Sequence, residues 1–241
     1  MYNIIYLDEV DSTNNYLKRR CGELASGTVV TAKYQTAGRG RRGHSWSGNE
    51  GMLPLSILFK NTREPETLTA RVGLGVCEAL ERCPEIRLRV GIKWPNDIIM
   101  ENHKVCGILC ESFVFGDSFN VICGIGVNNS QTEDYFKRAG LPSAASILML
   151  CGGAADKDVL LRHIAEDVTR RETMPFSVCY DDYKSRVINL NREVKIVSPN
   201  GDRIAFAEDI SKDGYLVCRG ENGSFEVNSG EVSVRGVNGY I

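Results

Sequence analysis

A glycine- and arginine-rich segment at residues 34–46 holds the side chains in this sequence best suited to chemistry, YQTAGRGRRGHSW. Its glycines allow the backbone to approach a ligand closely, and arginine guanidinium groups form paired hydrogen bonds with phosphate or carboxylate. No acidic residue occurs between residues 25 and 49, although the whole chain has a net charge of −2. The local field is therefore positive, and the segment predicts an anion site, with phosphate as the favoured ligand.

The spacing of Gly38, Gly40 and Gly43 matches the dinucleotide-binding fingerprint GxGxxG in form only. That fingerprint requires a helix directly after the third glycine, whereas residues 44–52 contain two further glycines and no apolar helical stripe. A GxxxxGK[ST] phosphate loop does not occur in the chain. Two other interpretations stay open on the residues alone: a solvated basic loop, or a segment that binds RNA.

A second polar segment, KWPND at residues 93–97, follows the strand-like residues 90–92. Proline ends strand pairing, and an Asn-Asp pair favours a turn. Lys93 could contact a phosphate, and Asn96 or Asp97 could hold a metal ion or a ribose. A plain turn explains the same residues, so the chemistry of this segment is undecided at this point.

Two further segments combine a strand with polar or glycine residues. Lys104 precedes the apolar residues 105–109, where an ammonium group at the mouth of a strand can point into a site. Gly107 within that strand indicates close approach by a ligand or a neighbouring element. Asn128 ends the glycine-containing strand at residues 124–128 and could hydrogen-bond a base or phosphate. A solvated lysine and an ordinary turn are the structural alternatives.

The elements that must position these residues form a mixed α+β pattern followed by a small β unit. Period-two and apolar segments predict strands at residues 2–7, 27–34, 54–59, 90–94, 105–111 and 120–127, and helical spacing predicts helices at 14–20, 67–82, 156–171 and 177–189. Ser12 could cap the first helix. After residue 191, short strands alternate with Asn-Gly and Asp-Gly turns. We therefore predict a mixed α+β domain at 1–190 and a small β domain of the size of an SH3 barrel at 191–241.

Composition narrows the function classes. The chain has 241 residues, 29 Lys and Arg, 31 Asp and Glu, and 42% hydrophobic residues, which excludes disorder and a protein that coats nucleic acid by bulk charge. No apolar run approaches the ~20 residues of a membrane span, and we see no signal peptide. The nine cysteines include no CxxC pair, and the three histidines share no metal-ligand spacing. Buried reduced thiols and a cytoplasmic location are expected.

Taken together and in order, five segments resemble those of biotin protein ligases. They are DSTN at 11–14, QTAGRGRRG at 35–43 with Trp46, KWPND at 93–97, KVCGIL at 104–109 and GIGVN at 124–128. The resemblance implies a fold related to class II aminoacyl-tRNA synthetases, with an SH3-like C-terminal domain. It also implies formation of biotinyl-5′-AMP from biotin and Mg·ATP, followed by transfer of biotin to a lysine of a biotin carboxyl carrier protein.

The same resemblance implies roles for individual residues. The catalytic residues are expected to be Lys104, Arg39 and Arg41. The biotin-binding residues are expected to be Ser12, Thr13, Asn14, Gln35, Gly38, Arg39, Gly40, Arg41, Lys104 and Gly107. The nucleotide-binding residues are expected to be Arg39, Arg41, Arg42, Trp46, Lys93, Asn96 and Asn128. No direct protein ligand to a metal is predicted, and Mg²⁺ is expected with ATP near Asn96 or Asp97. Lys104 is expected to be exposed, so that its loss affects folding little.

The sequence differs from the family pattern at several points, and other functions compete with the one that the resemblance implies. The first motif begins at Asp11, which leaves no room for a preceding helix-turn-helix, so no operator binding is expected. The residues His44 and Ser45, and Asn129 after Asn128, depart from the family pattern. A monomer and a homodimer are both compatible with the sequence. The competing functions are a lipoate or octanoyl ligase, a nucleic-acid-binding protein that uses the basic loop, and a biotin sensor without activity.

Overall fold

The computed structural model describes residues 3–43, 46, 51–198, 201–221, 223–230, 232–237 and 239–241. Arg42 is described by its backbone alone, and His44 and Ser45 lie outside the described residues. The strands of the larger unit are β1 (Ile4–Val10), β2 (Val29–Gln35), β3 (Met52–Lys60), β4 (Gly91–Lys93), β5 (Asp97–Met100), β6 (His103–Phe115) and β7 (Ser118–Asn128). Its helices are α1 (Thr13–Arg19), α2 (Leu68–Glu81), α3 (Glu133–Arg138), α4 (Ile147–Cys151), α5 (Lys157–Glu172) and α6 (Phe176–Arg186).

The seven strands form one mixed sheet in the order β1-β2-β3-β7-β6-β5-β4. Only the β1–β2 pair is parallel among the described strands, and the long central strands β3, β7 and β6 pair antiparallel. Helices α2 and α5 pack against each other and supply much of the main core, where Leu74, Leu80 and Ile164 are fully buried. The apolar spacing that predicts these two helices is explained by this buried face.

Both faces of the sheet are covered, because neighbouring residues of a strand point in opposite directions. Val29 packs into the main core, whereas Val30 joins a second cluster with Leu17 of α1, Leu58 and Ile122. Helix α1 therefore lies on the face opposite α2 and α5. Its first turn, which carries the DSTN motif, is held against the centre of the sheet.

The second unit is a five-stranded antiparallel sheet in the order β11-β10-β9-β8-β12. Its strands are β8 (Arg192–Val197), β9 (Arg203–Ile210), β10 (Leu216–Gly220), β11 (Gly223–Val227) and β12 (Ser233–Gly236). Its apolar residues join the main core of the larger unit, and the Trp94 indole donates to the carbonyl oxygen of Gly214 at 3.0 Å. The predicted α+β architecture is confirmed, and the domain boundary at residue 190 stays a prediction.

Some elements differ from those that the sequence pattern predicts. Strand β5 and the short helices α3 and α4 were not predicted, because each is too short for a periodic pattern to emerge. Ser12 occupies the N-cap position of α1, but its side chain makes no capping hydrogen bond. All nine cysteines are free, and seven are buried. Within the described ranges, no helix has the length and apolar character that crossing a bilayer requires.

Candidate active site

A cleft of about 470 Å³ opens above the centre of the large sheet, on the face that carries α1. Part of this volume is open to solvent. The cleft brings together eleven of the predicted site residues, namely Ser12, Thr13, Asn14, Gln35, Arg39, Gly40, Arg41, Trp46, Asn96, Lys104 and Gly107. Segments that are distant along the chain therefore converge on one site.

Glycines in the strands create the floor of the cleft. Gly107 of β6 pairs with Gly126 of β7, and Gly124 lies two residues before Gly126 on the same face. A side chain at Gly124 would place its Cβ 2.5 Å from the Asn14 amide oxygen, and one at Gly107 would lie 3.0 Å from the Trp46 ring. The missing side chains leave room for α1, the indole and a ligand, which explains why glycines occur within these strands.

A polar network lies at one end of the cleft, where Thr13 and Asn14 of α1 meet Gln35 of β2 and Ser56 of β3. We call it the polar network on α1. The Gln35 side-chain oxygen accepts hydrogen bonds from the Thr13 backbone nitrogen at 2.9 Å and from the Thr13 hydroxyl at 3.1 Å. Ser56 Oγ lies 2.7 Å from Thr13 Oγ1 and 2.6 Å from Asn14 Oδ1. Sequence reasoning missed Ser56, although a serine inside the apolar strand PLSILF is a usable signal. The network orients donors and acceptors that can hold a polar ligand.

Arg39 and Arg41 of the glycine-arginine segment have different partners. Arg39 forms an ion pair with Glu111 at 3.2 Å, and Glu111 also accepts a hydrogen bond from Asn14 at 2.8 Å. Arg41 donates to the Asn96 side-chain oxygen at 2.7 Å. It also donates to the backbone carbonyls of Ser229 and Val232 in the second unit. Arg41 thus links the loop, the KWPND segment and the small sheet, a role that local sequence did not indicate.

A cluster of buried charges lies at the other end of the cleft. The Lys104 ammonium is 2.6 Å from Asp97 Oδ1, and the Lys93 ammonium is 3.9 Å from Asp97 Oδ2. Asp97 Oδ2 also accepts a hydrogen bond from the Tyr240 hydroxyl. The side chain of Lys104 is only 22% exposed, so its predicted exposure is wrong. The reason is that β5 places the Asp97 carboxylate directly beside it.

These contacts shift the pKa values of the cluster. Burial lowers the pKa of Lys93 to about 8, although the Asp97 carboxylate acts in the opposite direction. Burial also opposes ionisation of Asp97, but Lys104 and Lys93 outweigh it and hold the Asp97 pKa below its ordinary value. Burial and the neighbouring carboxylate raise the pKa of the Tyr240 phenol. Tyr240 therefore stays protonated and acts as the hydrogen-bond donor.

Trp46 covers the cleft from the glycine-arginine segment. Its backbone nitrogen donates to the Gly38 carbonyl at 2.9 Å, which closes the base of the segment. A side chain at Gly38 would collide with the Trp46 backbone. The indole ring lies over Gly126, and the Lys104 ammonium is 5.0 Å from its centroid. Gly38 thus shapes the covering segment without lining the cleft itself.

Lys93 and Asn128 are buried next to residues of the cleft but do not line it themselves. Asn128 is buried, donates to the Lys104 carbonyl at 3.2 Å and accepts from Gln131 at 3.3 Å. The neighbouring Asn129, a departure from the family pattern, is also satisfied, because its amide bonds both backbone groups of Ala155. The predicted nucleotide roles of Lys93, Asn128 and Arg42 stay predictions.

Comparison with family models identifies both units. The model of the biotin/lipoate A/B protein ligase family matches residues 6–128. The model of the biotin protein ligase C-terminal domain matches residues 190–235. The first match contains all five motifs of the cleft, and the second covers the small antiparallel sheet.

Individual relatives span nearly the whole chain. The bifunctional ligase/repressor BirA of Escherichia coli is 29% identical over 97% of this chain and 74% of its own length. The biotin–[acetyl-CoA-carboxylase] ligase of Mycobacterium tuberculosis is 30% identical over 93% of this chain and 86% of its own length. The similarity therefore includes the first unit and the second.

Solved structures agree with the sequence relatives. The biotin protein ligase from Aquifex aeolicus, in complex with biotin and ATP, is 33% identical and superposes with a TM-score of 0.81. That comparison covers 98% of this chain and 99% of the other. With its fold, cleft and motifs in agreement, the chain belongs to the biotin/lipoate A/B protein ligase family and carries the C-terminal domain of biotin protein ligases.

Proposed function

We propose that the protein is an ATP-dependent biotin–protein ligase. It activates biotin as biotinyl-5′-AMP and transfers the biotinyl group to a lysine of a biotin carboxyl carrier protein, a subunit of an acetyl-CoA carboxylase. The position of Lys104 carries this proposal, because it lines the same cleft as the polar side chains of Thr13 and Gln35 and as the two arginines Arg39 and Arg41. A carboxylate and a phosphate can meet at that point. The relatives named above support biotin as the acid and ATP as the nucleotide.

In the first half-reaction, an oxygen of the biotin carboxylate attacks the α-phosphorus of ATP. The bond from that phosphorus to the bridging oxygen breaks, and pyrophosphate leaves with the electron pair. Two anions must approach each other, so cations that offset their repulsion stabilise the transition state. Lys104 bridges the carboxylate and the α-phosphate, while Arg39 and Arg41 bind the phosphates once Arg39 exchanges its Glu111 contact for them.

The polar network on α1 binds the ring system of biotin. A buried ureido group needs both donors and acceptors, since an unsatisfied polar group costs about 1–3 kcal/mol. Thr13, Asn14, Gln35 and the neighbouring Ser12 offer both kinds of atom at one end of the cleft. Gly40 and Gly107 give the ligand room at the backbone, and Gly38 allows the Trp46 backbone to pass close by.

The nucleotide occupies the side of the cleft lined by Arg41, Asn96 and Trp46. Lys93, Arg42 and Asn128 contribute to its binding or to the support of its pocket. In the second half-reaction the acceptor amine attacks the biotinyl carbonyl carbon, loses a proton and displaces AMP. Because the mixed anhydride is sensitive to hydrolysis, the Trp46 indole protects it from water in the interval.

Mg²⁺ enters this scheme with ATP as part of the substrate. The expectation that Mg²⁺ lies near Asn96 or Asp97 stays a prediction. Asn96 Oδ1 accepts from Arg41, and both Asp97 oxygens have cationic or hydroxyl partners. In the described residues no group of three or more His, Cys, Asp or Glu side chains could hold a metal ion. We propose that phosphate oxygens of ATP supply ligands to the ion.

Biotin-dependent exchange of labelled pyrophosphate into ATP tests the proposal. We expect exchange with biotin and Mg·ATP, and labelling of a carrier-domain lysine that streptavidin detects. Lipoate and octanoate serve as matched control acids. Exchange with lipoate but not biotin would reassign the substrate, and biotin binding without any exchange would indicate a sensor rather than a ligase.

The nine free cysteines support a reducing, cytoplasmic setting. A monomer or homodimer is compatible with this activity.

A further inference from the structure

Tyr240 reaches the buried charge cluster from the second unit. The cluster consists of Lys93, Asp97, Lys104 and Tyr240, from β4, β5, β6 and the segment after β12. The Gly236 backbone nitrogen donates to the Tyr240 carbonyl at 3.4 Å, so the chain folds back after β12. A side chain at Gly236 would collide with the Ile241 backbone. This tight return directs the tyrosine towards the large sheet.

Tyr240 makes two different contacts there. Its hydroxyl donates to Asp97 Oδ2, and its ring lies 4.1 Å from the Lys93 ammonium. The Lys93 ammonium is therefore held against the ring face at 3.9 Å from Oδ2. The Lys104 ammonium makes the closer contact, 2.6 Å from the other oxygen. One neutral side chain thus contacts both Asp97 and Lys93, while Lys104 is paired with the other Asp97 oxygen.

We propose that Tyr240 is a positioning residue for adenylate formation, acting on Lys104 through Asp97. This role rests on the ligase function proposed above. The phenol supplies the donor that Asp97 Oδ2 requires in a buried setting. With Oδ2 satisfied, Oδ1 alone holds Lys104 and orients its ammonium into the cleft. Without the hydroxyl, Oδ2 attracts Lys93 or Lys104, and the bridging ammonium is displaced.

The neutrality of the donor matters as much as its position. Two ammonium groups and one carboxylate leave the cluster with an excess positive charge, which suits a site for two anionic substrates. A lysine or arginine in place of Tyr240 would compete with Lys104 for Asp97. A carboxylate would cancel the excess charge. A protonated phenol satisfies Asp97 and leaves the charge balance unchanged.

The first test compares Tyr240→Phe with a matched control, Tyr180→Phe. The Tyr180 hydroxyl also joins the two units, since it donates to the Ile210 carbonyl, but it lies outside the cleft. We expect Tyr240→Phe to lower kcat of pyrophosphate exchange about tenfold, since it removes a hydrogen bond to a charged group. The KM values for biotin and ATP should stay within about twofold. Equal kcat values for the two variants would overturn the proposal.

The second test is a double-mutant cycle with Asp97→Asn, measured as single-turnover adenylate formation with enzyme in excess. If Tyr240 acts through the carboxylate, its replacement by Phe should change the rate less than twofold in the Asp97→Asn protein. An undiminished tenfold loss would refute action through Asp97. Thermal unfolding of all four proteins separates these effects from a general loss of docking, which would lower kcat in proportion to stability. Wild-type protein without exchange would refute the ligase function itself, whereas active wild type with active Tyr240→Phe refutes only the positioning role.

Discussion

Replacement of Lys104 by alanine is the sharpest test of the active-site assignment, because it separates a chemical role from a structural one. The ammonium is 2.6 Å from the Asp97 carboxylate and 5.0 Å from the Trp46 ring centroid. Its removal deletes the charge proposed to bridge the two anionic reactants. It also leaves a buried carboxylate with one partner fewer.

Both consequences have an expected magnitude. Loss of one positioned group that stabilises developing charge costs about 10²–10³ in rate, or about 3–4 kcal/mol. Loss of one partner from a buried ion pair costs up to about 3–5 kcal/mol when no other partner remains. Lys93 and Tyr240 stay beside Asp97. The expected loss of unfolding free energy is therefore smaller, about 1–3 kcal/mol, and larger than an exposed lysine would suggest.

Pyrophosphate exchange and urea unfolding should be measured on the same preparations of Lys104→Ala. Lys137→Ala is a suitable control, because Lys137 is 65% exposed and pairs only with Glu133 on α3 in the described contacts. We expect the control to retain full exchange activity and stability within about 0.5 kcal/mol. If exchange by Lys104→Ala fell only as far as its folded fraction, the bridging role would be refuted.

Three further perturbations test other parts of the structure. Arg41→Ala should speed release of biotinyl-AMP about tenfold or more, because it removes the hydrogen bonds that join the glycine-arginine segment to Asn96 and to the second unit. An unchanged release rate in a chase experiment would contradict this. Above pH 8, Lys93 loses its proton and KM for ATP should rise, a trend absent from Lys93→Met. In that range stability should increase up to the ordinary lysine pKa, because the unfolded chain binds the extra proton. Arg171→Ala should cost about 3 kcal/mol and several degrees in Tm, since Arg171 joins Glu78 to Asp182; a calorimetric Tm within one degree of wild type would disprove it.

The local spacing of apolar, turn and glycine residues was enough to predict the longer helices and strands and the residue types of the cleft. Helical spacing at residues 67–82 corresponds to α2, Leu68–Glu81, because a helix that buries one face must repeat apolar residues at that period. Turn residues after 191 correspond to the small antiparallel sheet. Glycines, arginines and amides in five ordered motifs predicted the cleft, since a site that approaches a ligand through its backbone needs those residue types.

Sequence alone therefore indicated the family and the identity of most residues that line the cleft. Only the tertiary structure decided how those residues are paired. Ser56, Glu111 and Tyr240 join the site through contacts that cross many residues of chain, and no local period records such contacts. The environment of Lys104 combines the neighbouring strand β5, which supplies Asp97, with the distant residues Trp46 and Tyr240. Whether an ammonium group is solvated or held by a buried carboxylate is set by sheet register, which brings β5 beside β6.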